Sequence, residues 1–527
     1  MGAAEQAAVI AFLGDPASHG GAPVERIETH GAIVFLAGER AYKIKRAVRY
    51  PYLDFSTLEK RHAACAAELR LNRRTAPSLY LDLRPVTRRS DGRLALGGEG
   101  EPVEWVVVMR RFDQDRLFDR MAEAGTLTRD LILDLADRVA AFHAAAELAP
   151  AGSDWGGSAV FRATLLDNLD ELGPPWFAAA RIEALRAAAL AALDRTAPLL
   201  DRRKAEGRIR RCHGDLHLRN IVLLDGRPTL FDAIEFNDAL AWIDLFDDAA
   251  FLLMDLDHRR LRPLANLFLN RYALRTGDWG GLAALPLFLC NRALVRAKVA
   301  ATTARLTGDA ARIARLRAEA AAYLDAAERY VRPPPAVLVA VGGVSGTGKT
   351  SLAARLAPGI GPAPGAVHLR TDVLRKRMFG LAETERLPQD AYRSELHDRV
   401  FREMFAVARE VLAAGHAAIL DGVFGEPAHR EAAAELAREA GTPFAGLWLD
   451  APEETLVARV AARTGDASDA TPEVVRRQLA ADFGPIGWLR LAAGGPLDTL
   501  AADARRRLRG IGITVTEEPD NADSARP

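Results

Sequence analysis

Lysine is scarce in this 527-residue chain. Seven residues, Lys43, Lys45, Lys60, Lys204, Lys298, Lys349 and Lys376, stand against 63 arginines. Cysteine is scarcer still, with Cys65, Cys212 and Cys290 far apart. Three thiols at such spacings make neither a disulfide framework nor a zinc knot, so a reduced, cytoplasmic protein is expected. Net charge is missing too, with 70 basic groups against 70 acidic ones. A dedicated nucleic-acid binder carries a basic excess, and the balance argues against that partner. No uncharged apolar run approaches the roughly 20 residues of a membrane span. No basic region precedes the short apolar stretch near the N-terminus, which argues against a secretory leader. Neither a membrane partner nor a short-period repeat is expected.

Apolar residues make up 49% of the chain and charged ones 27%, enough to fill several cores. At roughly 100–200 residues per domain, two to four domains are expected. The sharpest boundary is Val331-Arg332-Pro333-Pro334-Pro335, because consecutive prolines cannot continue a helix. The expected organisation is a first unit over 1–332, with a small lobe at about 24–110 and a large lobe at about 111–330, then a linker over 333–335. A second unit over 336–515 and a disordered tail over 516–527 complete it. The small lobe shows strand patterns at 32–36, 40–44, 80–86 and 103–109, with a helix over 56–74. The large lobe reads as helical except over 209–236. In the second unit, strands over 336–342, 366–371, 416–421 and 444–449 alternate with helices over 348–357, 390–414, 427–440 and 452–463. That alternation predicts an α/β unit with a parallel sheet.

Gly343-Val344-Ser345-Gly346-Thr347-Gly348-Lys349-Thr350 fits G-x-x-x-x-G-K-[ST], after a hydrophobic strand and before a helix opening at Ser351. Glycines let backbone N–H groups curl around a phosphate, and the helix N-terminus adds positive potential. Lys349 is expected to reach the β/γ phosphates and Thr350 to bind Mg²⁺. Ligands of open α/β sheets sit beyond the carboxyl ends of the strands. Asp372, just past one such end, is placed to take a hydroxyl proton, or else to cap the next helix. Arg375, three residues on, suits an anionic acceptor group. Asp421, ending another strand, can hold a metal-bound water or an acceptor hydroxyl. Arg459 and Arg463 share a helix face beside the polar loop at 464–470, a pattern that suits a lid over phosphates or a solvated surface. Asp450-Ala451-Pro452-Glu453 reads as a capping box.

These features resemble the P-loop kinases of small molecules and of polynucleotide 5′ ends, over about 336–510. The resemblance implies ATP-dependent transfer of the γ-phosphoryl group to a hydroxyl.

A second phosphoryl-transfer pattern lies in Cys212-His213-Gly214-Asp215-Leu216-His217-Leu218-Arg219-Asn220, followed by Thr229-Leu230-Phe231-Asp232. Asp215 and Asn220 are spaced as in H-R-D-x-x-x-x-N, and Asp232 falls where the metal-binding Asp of D-F-G would be. Asp215 would accept the proton of the attacking hydroxyl, while Asn220 and Asp232 would hold Mg²⁺ against ATP. His217 would steady the loop by hydrogen bonding. Gly replaces the protein-kinase Arg, and Ala233-Ile234-Glu235 replaces Phe-Gly. The stretch resembles the aminoglycoside-phosphotransferase and choline-kinase branch of the protein-kinase-like fold. The whole chain resembles a bacterial two-part protein fusing that unit to a P-loop domain of the AAA, zeta-toxin and polynucleotide-kinase type.

The fold class so implied is multidomain: an N-terminal α+β bilobal kinase-like unit and a C-terminal α/β P-loop unit. The resemblance also implies a phosphate-binding lysine in the small lobe, with Lys43 the first choice and Lys45 the second. Glu68 is its expected helix partner and Glu59 the alternative. Val106 to Met109 leads to the expected adenine hinge. The sequence departs from the family at Thr29-His30-Gly31, where the phosphate-covering loop has one glycine. Acidic residues at 238, 244, 247, 248, 255 and 257 could line a cationic substrate's pocket or cap helices.

The function expected is an ATP- and Mg²⁺-dependent phosphotransferase acting on small-molecule hydroxyls at two sites. One alternative is a regulatory protein whose kinase-like unit senses a ligand and controls the P-loop unit. Another is a polynucleotide 5′-hydroxyl kinase, which needs stacking aromatics near Arg370, Arg375 and Arg377.

Overall fold

The computed structural model of the chain describes residues 3–29, 31–50, 53–383, 385–388, 393–462 and 467–516. They fall into two compact units. One lies within Met1–Ala163 and Ala197–Asp255, the other within Thr164–Thr196 and Leu256–Ala522.

In the first unit, the described residues form a six-stranded antiparallel sheet. Its spatial order is Val24–Glu28, Ala32–Ala37, Arg40–Lys45, Glu101–Arg110, Tyr80–Arg88 and Leu94–Leu96. Alternation sorts side chains to its two faces. Ile33, Phe35, Ile44, Val106 and Val108 pack on one face with Val9 and Leu13. Leu36, Ala41, Val107 and Met109 pack on the other with Cys65 of the helix Leu58–Asn72. Thr57 caps that helix by accepting the Lys60 N–H. Lys43 and Lys45 share the face of Ala41, so both point toward the helix. The strand Val24–Glu28 escapes a hydrophobicity reading because Glu25, Arg26 and Glu28 interrupt it.

In the second unit, five strands run parallel in the order Val367–Arg370, Ala418–Asp421, Leu338–Gly343, Phe444–Asp450 and Leu489–Ala492. The central strand is buried along its whole length. Val339, Val341, Ile419, Leu447 and Leu449 pack with Leu352 and Leu356 of the helix Lys349–Leu356. Continuous burial of the three inner strands explains the unbroken apolar runs that mark them in the sequence. The short edge strand Leu489–Ala492 carries no apolar run in the sequence, since only Leu491 is buried there. The opposite edge is closed by polar side chains of the helix Arg262–Thr276. Asn270 accepts the His368 N–H at 2.6 Å, and Asn266 donates to the Ala366 carbonyl at 3.0 Å.

Two local readings change. Pro452, not Asp450, caps the helix Glu453–Ala461, and no capping box forms. Asp450 instead accepts from the Trp448 indole N–H and from Arg490, both at 3.0 Å. Thr516, expected in the tail, donates its N–H to Gly359, while residues 517–527 lie outside the described residues. Among the described residues, no helix is long and apolar enough to cross a membrane.

His416 is buried just ahead of the strand Ala418–Asp421 and donates from Nε2 to the Gly365 carbonyl at 2.9 Å. Burial pulls its pKa from the ordinary 6.5 to about 4. The unfolded chain therefore takes up this proton first, so stability present above pH 6.5 is lost as the pH falls toward 4. Denaturation midpoints across that window should fall less steeply in His416→Gln, which keeps the donor but does not titrate.

Candidate functional site

The strand Arg40–Lys45 brings both small-lobe lysines to Glu68, a fully buried residue of the helix Leu58–Asn72. Lys43 Nζ donates to Glu68 Oε1 at 2.7 Å and to Asp232 Oδ1 at 2.5 Å. Lys45 Nζ lies 2.6 Å from Glu68 Oε2 and donates to Glu235 Oε1. Glu59 is exposed in the first turn of the same helix and takes no part. Burial alone would lower the pKa of Lys43, but Asp232 and Glu68 reverse this and hold it well above the ordinary value. Burial opposes the charge of Glu68 as well, and the two lysines keep it ionised. Asp232 keeps 42% of its side chain exposed, leaving a face of the carboxylate accessible.

The segment His213–Asp232 carries the second half of this cleft. Gly214 has φ +83°, and a Cβ there would come within 2.7 Å of the Leu240 carbonyl oxygen. That close approach explains glycine in His-Gly-Asp. Asn220 Nδ2 donates to the Asp215 backbone oxygen and to its Oδ2, both at 2.9 Å. The amide orientation leaves the Asn220 carbonyl oxygen as its ligand atom. His217 Nε2 lies 3.4 Å from the same Asp215 Oδ2. The hairpin Ile221–Leu224 with Arg227–Leu230 delivers Asp232, whose φ of +62° is rare for a non-glycine residue. Its N–H donates to the Tyr80 hydroxyl at 3.2 Å, and the next N–H donates to Asn72 at 2.8 Å. Strain held by several partners is typical of functional positions.

Most members of the acidic run are engaged by partners within the fold. Asp244 forms a buried pair with Arg203, and Asp238 pairs with Arg211. Asp257 takes Arg262 and the Tyr330 hydroxyl, while Asp255 accepts the Leu218 N–H at 3.0 Å. Asp248 has the most consequential place. It accepts the N–H groups of His213 and Gly214 at 3.0 and 2.9 Å, and His143 Nε2 lies 3.0 Å away. Nothing in its sequence context separates Asp248 from its acidic neighbours.

In the second unit, Gly346 and Gly348 adopt φ near +89° and +88°. A Cβ on Gly346 would meet the Leu456 carbonyl oxygen at 2.8 Å. Gly343 and Ser345 begin the turn, and the Thr347 hydroxyl closes it on the Val344 carbonyl at 2.8 Å. Lys349 Nζ donates to that same carbonyl at 3.1 Å. Ser351 is exposed in the first turn of the following helix. Register places Val341 beside Asp421, so the loop leaves the sheet next to that acid. The Thr350 hydroxyl donates to Asp421 Oδ2 at 2.6 Å, and His368 Nε2 lies 3.2 Å from the same oxygen. Burial disfavours the Asp421 charge, yet His368, Arg370 and Lys349 hold its pKa down at about 2. Asp372 is pushed the other way, by burial and by the Asp421 charge. A carboxylate made more basic in this manner can take a proton.

Arg375 is buried, and its guanidinium donates to His397 Nδ1 at 3.1 Å. Arg459 departs from the expected lid. It donates to the carbonyls of Ala493, Gly494 and Gly495, a turn whose free oxygens take up the guanidinium. Arg463 and residues 464–466 lie outside the described residues.

The family model described as "Phosphotransferase enzyme family" matches residues 52–285, and the one described as "AAA domain" matches residues 338–485. Curated relatives from Mycobacterium tuberculosis (strain ATCC 25618 / H37Rv) and Mycobacterium bovis (strain ATCC BAA-935 / AF2122/97) bear the name "uncharacterized protein". Each is 33% identical over 467 residues, covering 85% of this chain and 88% of the relative. The chain belongs to this two-domain family, in which a phosphotransferase-type unit is fused to a P-loop AAA unit. Among solved structures, a choline/ethanolamine kinase family protein from Mesorhizobium loti is 15% identical, with TM-score 0.36, covering 61% of this chain and 99% of its own. A gluconokinase from Sinorhizobium meliloti 1021 is 23% identical, with TM-score 0.23, covering 34% and 91%.

Besides Asp248, the sequence reading of this family member missed Tyr80, Glu235, His368 and Gln478. For Glu235 a signal existed: an acid three residues past Asp232, facing a strand with two lysines. For Gln478 there was none. Its side-chain oxygen accepts the Ser345 N–H at 2.8 Å, where a phosphate oxygen would sit on the loop. Gln478→Ala should therefore tighten ATP binding about two- to tenfold, the equivalent of one net hydrogen bond. Calorimetric titration of ATP into both proteins measures this.

Proposed function

We propose that this protein is an ATP- and Mg²⁺-dependent phosphotransferase with two nucleotide sites. Each transfers the γ-phosphoryl group to a hydroxyl of a small molecule. The observation that carries the reading is Lys43 Nζ bridging Glu68 and Asp232, with Asp215 and Asn220 joined on the same loop. The first unit so read spans 1–332 and the P-loop kinase unit 336–515, joined by the prolines at 333–335. Three buried free cysteines support a cytoplasmic setting.

The donor sets fit a hard divalent cation, because all are oxygens: Asn220 and Asp232 in one site, Thr350 and Asp421 in the other. Bound Mg²⁺ would neutralise phosphate charge. The chain's own residues do the rest. Lys43, held by Glu68, presents its ammonium to the nucleotide phosphates. Asp215, steadied by Asn220 and His217, orients the acceptor hydroxyl and takes its proton. The hydroxyl oxygen bonds to the γ-phosphorus as the bond to the β,γ-bridging oxygen breaks, and ADP departs. In the second site, Lys349 and the Gly343–Thr350 amides hold the phosphates, with Asp372 the proton acceptor and Arg375 facing an anionic acceptor group. Positioning and charge neutralisation supply most of such catalysis.

The test uses γ-labelled ATP with a bacterial metabolite extract and compares wild type, Asp215→Ala and Lys349→Ala. Loss of a different labelled product in each variant supports two active kinases and identifies their acceptors. If Asp215→Ala loses no product but alters P-loop turnover, the first unit is a regulator. That second reading is favoured by Gln478, which already occupies a phosphate-loop amide. The polynucleotide-kinase reading is disfavoured, because Arg370 Nε lies 3.8 Å from Asp421 and is turned to that acid instead of lining an open basic groove.

A further inference from the structure

The helices Ser394–Ala413 and Pro427–Glu439 meet beside the strand end that carries Asp421. A Cβ on Gly422 would lie 3.3 Å from Cζ of Phe401, a buried residue of the first helix. His397, Glu426 and His429 each offer one ligand atom there, all within 4.8 Å of one another. Glu426 and His429 are three apart at a helix start, so they share a face. Glu426 is the N-cap residue, yet its carboxylate makes no capping bond and is exposed. His429 is only 8% exposed and stacks on Phe401 at 3.9 Å between centroids. Its Nε2 lies 3.2 Å from Asp398 Oδ1, while its buried Nδ1 has no hydrogen-bond partner. A buried ring nitrogen without a partner calls for an explanation.

We propose that His397, Glu426 and His429 form a site for a divalent first-row transition ion of the zinc type, and that filling it detaches Arg375 from His397. For its consequence on acceptor recognition, this rests on the reading of Arg375 given above. Two imidazoles and a carboxylate select zinc-type ions over Mg²⁺, which prefers an all-oxygen shell. Three protein ligands leave one position open. Metal bonds of about 2.0–2.2 Å require the ligand atoms to draw closer, and the exposed Glu426 side chain is able to move. A carboxylate beside a ligating imidazole, as Asp398 is to His429, fixes the ring for coordination.

The link to Arg375 follows from proton bookkeeping on one ring. Arg375 donates to His397 Nδ1, so that nitrogen carries the lone pair. Coordination through Nδ1 takes the lone pair directly. Coordination through Nε2 moves the ring proton to Nδ1, which then no longer accepts. By either route the Arg375–His397 bond is lost, which changes how the guanidinium is held beside the acceptor position.

The experiment is a Co²⁺ titration of the full chain in excess Mg²⁺, without nucleotide. One ion should bind, with the visible bands of tetrahedral cobalt. Glu426→Gln and His429→Gln should each weaken binding about tenfold or more. Glu426 is exposed, so its variant keeps the test informative if His429→Gln misfolds. Unchanged affinity in Glu426→Gln overturns the site, as does sulfur-to-cobalt absorption, which would place the ion at the buried group His143, Cys212 and Asp248. Arg375→Ala should tighten Co²⁺ binding by removing the competitor for His397. Unchanged or weaker binding overturns the competition between Arg375 and the ion for His397. The titration reads binding without turnover, so it stands or fails separately from the kinase reading.

Discussion

Asp215→Asn is expected to lower phosphoryl transfer by the first unit about 10²–10⁴-fold, the usual contribution of a positioned general base. The exchange is isosteric but leaves an amide that cannot take a proton. Lys43, Glu68 and Asp232 are untouched, so ATP affinity should not change. The cleanest measurement uses a Lys349→Ala background, in which the P-loop unit is silenced and label transfer reports one site. Retained transfer in Asp215→Asn would remove Asp215 as the base. Loss of ATP affinity together with turnover would instead assign it to the nucleotide platform.

Asp248→Ala is expected to destabilise the first unit by about 3–5 kcal/mol, the scale for breaking a buried, charge-assisted network from one side. Asp248 is fully buried, and it takes the N–H groups of His213 and Gly214 together with His143. Burial disfavours its charge, but His143, His213 and the backbone N–H keep its pKa below the ordinary value. Removing it takes away the carboxylate that accepts from two backbone N–H groups immediately before Asp215. Asp248 acts through that backbone and is a positioning residue. Asp248→Asn keeps one accepting oxygen and should recover part of the stability. Urea denaturation of the three proteins measures the series, and equal midpoints for wild type and Asp248→Ala would refute the clamp. Turnover should fall with the loss of loop order, and Asp248→Asn should restore it in part.

How much of this was legible beforehand depended on the kind of constraint. The Gly343–Thr350 loop is a local device, set by glycine conformations and one helix start, so a short pattern carries it completely. The parallel sheet announced itself through apolar runs, because both of its faces are covered. The spacing of Asp215, Asn220 and Asp232 is likewise set by one loop and one hairpin. Lys43 and Lys45 could be placed on one face by strand periodicity, but period two cannot say which lysine meets Glu68. In the fold Glu68 takes both, one on each oxygen, because the helix lies directly over that face.

What failed was long-range pairing. Asp248 and Asp257 look alike in the acidic run, yet one clamps the backbone just before Asp215 and the other binds Arg262 and Tyr330. Gln478 is an ordinary polar helix residue until the chain returns it to Ser345. His397 and His429 lie 32 positions apart and become neighbours, with ring centroids 5.5 Å apart, through the packing of two helices. The sequence alone determined the glycine-rich loop over 343–350, the Asp215, Asn220 and Asp232 pattern and the parallel α/β sheet, because local backbone geometry and hydrophobic periodicity are written within a few turns of chain. Only the tertiary structure decided which charges face one another. Partnership between buried polar groups depends on approach in space, and approach leaves no periodic mark in the sequence.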